Sequence, residues 1–134
     1  MPAISEYFAA ADRALARYRD ADIFLSTDNR DVVGWFRGRY GEARVIVTDK
    51  WFAQPGQSLH KNPLCPDGIG SAQEAVVDMG LLASCDFLIT LGNSSFSIVA
   101  NALSVAAPDD RTILHPRNPI WWRVLRRLGL GNRG

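Results

Sequence analysis

Four short apolar runs, DIFLST (22–27), ARVIVTD (43–49), DFLITL (86–91) and RTILHP (111–116), are separated by stretches whose apolar residues recur every three or four positions. This alternation constrains the fold more than any other feature of the chain. Runs of this length rich in Val, Ile, Leu and Phe predict buried strands, and the 3.6-residue period predicts amphipathic helices between them. Strands joined through helical crossovers pair in parallel with right-handed connections. The pattern therefore predicts an α/β chain with a Rossmann-like parallel sheet and flanking helices. With 134 residues, 47% apolar and 22% charged, there is enough apolar material for a single domain spanning residues 1–134.

The helices follow the same logic. Ser5 opens a first helix with Phe8, Ala11, Leu15 and Tyr18 on one stripe, and DVVGWFRGRYG forms a second, with Val32, Val33 and Phe36 inward and Gly41 ending it. Ser71-Ala72-Gln73-Glu74 has the spacing of a capping box, opening a helix with Ala75, Val76, Met79, Leu82 and Ala83 on its apolar face. Residues 93–105 read as loop plus helix, and residues 118–129 as a basic amphipathic C-terminal helix. Between Lys50 and Gly70 no period is visible, and a loop of that length is usually functional or disordered.

A formal net charge of +1 gives no global attraction to nucleic acid or an acidic membrane, so recognition of a small partner is expected to be local. No apolar run reaches transmembrane length, and the N-terminus lacks the basic and apolar regions of a signal peptide, so a cytoplasmic location is expected. Cys65 and Cys85 fit no ligand spacing and read as reduced structural thiols, with no metal assigned.

In open parallel sheets ligands sit beyond the carboxyl ends of the strands. The polar groups Thr27-Asp28-Asn29, Thr48-Asp49-Lys50 and Gly92-Asn93-Ser94-Ser95 fall there. The last either caps the next helix through Asn93 or Ser94, or supplies amides and hydroxyls to a phosphate. Asp78 interrupts the apolar stretch AVVDMGLL, where a carboxylate is mildly unfavourable; it is either exposed or ion-paired, or accepts hydrogen bonds from a ligand such as a guanine N1–H and amino group. Asp28 either opens an Asx turn with Asn29 or binds a ligand. His60, in the long loop, is the better ligand candidate of the two histidines. GxSxG, GxxxxGK[ST] and GxGxxG are all missing, which leaves hydrolase, P-loop and dinucleotide readings without their anchors.

The segments DIFLSTDN and EAVVDMGLLASCDFLITLGNSSFS, with the long loop and helix between them, resemble the donor-binding half of the fucosyltransferase superfamily that includes nodulation fucosyltransferases, α1,6-fucosyltransferases and protein O-fucosyltransferases. The resemblance covers roughly residues 5–107. It implies the C-terminal half of a GT-B architecture, GDP-fucose or a related GDP-sugar as donor, inverting transfer to a glycan or protein hydroxyl, and neither cofactor nor required metal. It would place Asp78 on guanine, Ser94 and Ser95 on the diphosphate, Phe96 beneath that turn, and Asp28 in a strand-end acidic pair whose second member is Asn29 here. The family's histidine-and-arginine strand before the first helix has no counterpart, so an upstream domain or partner subunit is expected to supply it, no catalytic residue is assigned, and the isolated chain is expected to be weak or inactive. A non-catalytic nucleotide-binding or protein-interaction module is the alternative.

Overall fold

The computed structural model describes residues 2–52 and 64–115. In chain order it contains α1 (Ile4–Arg17), β1 (Ile23–Phe24), α2 (Arg30–Tyr40), β2 (Val45–Ile46), α3 (Gly68–Ala83), β3 (Leu88–Leu91), α4 (Ser95–Leu103) and β4 (Arg111–Leu114), with 3-10 turns leading into β2 and β4. His60 and the C-terminal helix expected at 118–129 lie outside the described residues.

The alternation and the parallel pairing both appear, but the single sheet does not. Among the described residues the strands form two separate parallel pairs. In one, Ile23 lies opposite Val45 and Phe24 opposite Ile46; in the other, Leu88 to Leu91 lie opposite Arg111 to Leu114. The pairs share a hydrophobic core without sharing a ladder: Ala11, Phe36 and Val45 are buried together, and Ile23 of β1 and Ile89 of β3 pack against them. Aromatic rings thicken this core, with the Phe36 centroid 5.2 Å from Phe8 and 5.8 Å from Tyr40, separations at which tilted rings attract beyond their buried area. The first strand is shorter than residues 22–27 and half-buried rather than enclosed on both faces. After one further ladder bond, Leu25 N–H to the Ile46 carbonyl at 2.9 Å, Ser26 and Thr48 turn their hydroxyls to Asp78 of α3.

Helix starts follow the donors that need partners. The amide of Ala3 donates to the Glu6 carboxylate at 3.2 Å, so α1 begins before Ser5 and that serine lies inside it. Asn29 caps α2 by accepting the Asp31 amide at 2.9 Å, and Gly41 ends it at φ 95°, a conformation that favours glycine. The capping box at Ser71 does not form. Asp67 accepts the Gly70 amide at 2.8 Å and starts α3 at Gly68, three residues earlier, while the Ser71 hydroxyl pairs with the Cys65 thiol at 3.2 Å. An ionised carboxylate outcompetes a serine hydroxyl for orphan amides at a helix N-terminus, where the dipole favours negative charge. The expected apolar face of α3 is largely the one that packs: Ala83 is buried and Ala75, Met79 and Leu82 are half-buried, while Val76 is 66% exposed and Asp78 is buried.

The second pair is fastened to α4 by Arg111, whose guanidinium donates to the carbonyls of Asn101, Ser104 and Ala106 at 3.1, 2.9 and 2.6 Å. Asn101 and Ser104 lie at the end of α4 and Ala106 just beyond it, where a cation also complements the helix dipole.

Candidate functional site

The site is organised around a carboxylate that the core encloses. Asp78 lies in the eleventh position of α3 and is 1% exposed. Its Oδ2 accepts from Ser26 Oγ at 2.6 Å and from Lys50 Nζ at 2.5 Å, and its Oδ1 accepts from Thr48 Oγ1 at 2.7 Å. Ser26 follows β1, while Thr48 and Lys50 follow β2, so one side chain ties α3 to the carboxyl ends of both strands. Lys50 is nearly as enclosed, its side chain 11% exposed. Burial by itself raises the Asp78 pKa, but the hydrogen bonds from Lys50, Ser26 and Thr48 and the charge of Lys50 outweigh it, and the carboxyl is held below the usual range. Asp78 is thus an ionised, ion-paired anchor in this state.

Beside the cluster a pocket of about 320 Å³ is lined by Thr48, Asp49, Gly70, Gln73, Glu74 and Val77. Thr48 belongs to both. The pocket has two carboxylates, an amide and an apolar wall, a lining suited to a flat ligand with N–H donors. A Cβ at Gly70 would come within 2.3 Å of the Asp67 carboxylate, so a larger residue there would displace the side chain that caps α3.

At the end of β3, Ser94 caps α4 by accepting the Ser97 amide at 3.4 Å. Ser94 and Phe96 are half-buried, and Asn93 and Ser95 are exposed. The first-turn amides of Ser95 and Phe96 have no acceptor within the helix, and the positive dipole end adds to them. Capping by Ser94 and anion binding by the following amides are compatible, since the cap uses one donor of the turn. Replacing Ser94 with alanine is expected to lower stability by about 1 kcal/mol, the usual worth of such a cap, read as a reduced urea midpoint with an unchanged slope. Gly92 leaves the turn close to β4: its amide donates to the Leu114 carbonyl at 2.8 Å, and a Cβ would sit 2.5 Å from the His115 ring.

Asp28 is exposed at the carboxyl end of β1, and Asn29 is committed to the cap of α2. The structure therefore brings Asp78 together with the ends of β1 and β2 beside a pocket, while Asp28 and Asn29 stand after β1 and the serine turn follows β3 in the other strand pair. Ser26, which the residue pattern did not single out, and Lys50, which it placed only within the strand-end group Thr48-Asp49-Lys50, are direct partners of Asp78. The available signal was a hydroxyl at each of two strand ends and a lone carboxylate in an apolar helix.

The profile of the nodulation protein Z (NodZ) family matches residues 3–114, which include every element just described. The chain belongs to the NodZ family. This agrees with the resemblance to the fucosyltransferase superfamily carried by the strand-end acid and the helix–strand–serine-turn segment. Nodulation protein Z of Azorhizobium caulinodans is 41% identical over 73 residues, 54% of this chain and 21% of that protein. The aligned part thus spans about a fifth of the relative's length. No solved structure matches the chain. None of the described NodZ-family helices is long and apolar enough to cross a membrane.

Proposed function

We propose that the chain is the donor-binding part of a fucosyltransferase-type glycosyltransferase, taking GDP-fucose or a related GDP-sugar for inverting, metal-independent transfer to a glycan or protein hydroxyl. The observation that carries this reading is the carboxylate of Asp78, held ionised at the ends of β1 and β2 beside a pocket of nucleobase size in a chain of the NodZ family. A guanine presents adjacent N1–H and amino donors that one carboxylate can accept together, whereas uracil presents a single ring N–H flanked by carbonyls. The diphosphate would then lie at the N-terminus of α4, on the Ser95 and Phe96 amides and the Ser94 and Ser95 hydroxyls. Asp28 would face the sugar end of the donor. An upstream domain or partner subunit would contribute the acceptor site and the cation that stabilises the leaving diphosphate.

Calorimetric titration tests the reading. GDP is expected to bind saturably and at least tenfold more tightly than UDP, and heat signals that are absent for GDP, or equal for the two nucleotides, refute it. Turnover of GDP-fucose is expected to stay at background until the upstream part is added. If GDP binds and no completed assembly turns the donor over, the chain is a non-catalytic nucleotide-binding module.

A further inference from the structure

Asp78 cannot receive a base while all its present partners remain, because it is 1% exposed and three donors already crowd its roughly four acceptor positions. The three partners differ in how readily they leave. Ser26 and Thr48 hold short hydroxyls on backbone that continues directly from β1 and β2. Lys50 reaches the carboxylate on a four-carbon stem with several rotatable bonds, from the irregular segment after β2. Its ammonium is also the partner with the strongest alternative in a nucleotide complex, since a diphosphate carries two or more negative charges and can take it as a counter-ion.

We infer that Lys50 is a built-in competitor for the carboxylate of Asp78, displaced by the incoming base and transferred to the diphosphate, so that this pocket selects nucleoside diphosphates over nucleosides. The inference rests on the donor-binding reading above and deepens it. Paired with Asp78, the ammonium neutralises a buried carboxylate that would otherwise be costly to enclose. A nucleoside offers neutral N–H donors in exchange for a full positive charge and leaves the ammonium without a counter-ion. A nucleoside diphosphate supplies both replacements at once: N–H donors for Asp78 and anionic oxygens for Lys50. Lys50 is thereby a specificity-determining residue rather than a catalytic one. No bond is made or broken in the exchange, and the ion pair is the only contact traded.

The test compares guanosine and GDP binding to the wild-type chain and to Lys50→Gln and Lys50→Arg. In Lys50→Gln, guanosine is expected to bind about tenfold more tightly than to wild type, and the advantage of GDP over guanosine is expected to shrink by about the same factor; Lys50→Arg restores the wild-type ratio. A second measurement needs no variant. The chain has two lysines, Lys50 and Lys61, so acylation can be followed at each by mass spectrometry. Guanosine is expected to accelerate labelling at Lys50 severalfold and GDP to suppress it. GDP binding with an unchanged GDP-to-guanosine ratio in Lys50→Gln, or with Lys50 labelling insensitive to guanosine, overturns the inference and leaves the donor-binding reading intact. Failure of GDP to bind the wild-type chain overturns both.

Discussion

Substituting Asp78 with alanine is expected to lower the stability of the chain by roughly 3–5 kcal/mol, because it leaves the enclosed Lys50 ammonium without its counter-ion and removes the acceptor for Ser26 and Thr48 as well. Against the total of about 5–15 kcal/mol typical of a domain, that is enough to leave a substantial unfolded fraction. Equilibrium urea unfolding at pH 7 reads it directly, and a midpoint within a few tenths molar of wild type would show that the cluster contributes little. The pH dependence carries the same information. The folded-state pKa of Asp78 lies below its unfolded value, so its contribution is fully present above the unfolded carboxylate range, near pH 4, and is lost as pH falls from there through the folded pKa. Wild type is therefore expected to lose stability below about pH 4 more steeply than Asp78→Asn, which has no carboxylate to titrate at this position. Parallel stability-versus-pH curves for the two proteins would mean that Asp78 titrates alike in the folded and unfolded chains.

Phe36→Ala is expected to cost a similar 3–5 kcal/mol by a different mechanism, the loss of a buried ring and the cavity left behind it. Phe36 is 5% exposed and sits among Phe8, Tyr40, Ala11 and Val45, contributed by α1, α2 and β2. These elements come from both sides of the core, so collapse of one neighbour cannot fill the space. Phe36→Leu keeps most of the apolar volume and is expected to retain more than half of the lost stability. Urea midpoints measured on both variants read this cavity cost. Equal midpoints for the alanine and leucine variants would place the aromatic ring, rather than its volume, at the origin of the effect.

Local order was legible where one side chain or one short pattern sufficed. Val33 and Phe36 face inward on α2 as their spacing requires, Gly41 ends that helix with a positive φ, and Ser94 caps α4. Competition between neighbouring residues was harder to read. Ser71 and Glu74 have capping-box spacing, but Asp67, four residues before Ser71, provides an ionised acceptor and takes the helix start. Val76 has the period of a core residue and is nonetheless exposed, while Asp78, the polar interruption of that helix, is buried.

By itself the sequence determined the α/β alternation, the parallel sense of the strand pairs, the end of α2, the cap of α4 and the family, because each follows from interactions within about one turn or from a run of residues in fixed order. Only the tertiary structure decided what Asp78 touches. Its partners lie 28, 30 and 52 residues away, and no local spacing encodes them. Burying a carboxylate is costly unless donors converge on it, and convergence of a helix with two strand ends is a property of the packed chain alone. The division of the strands into two ladders was decided at the same level. Whether neighbouring strands bond is settled by where the core places them, and here Ile89 reaches the shared core by packing rather than through a common sheet.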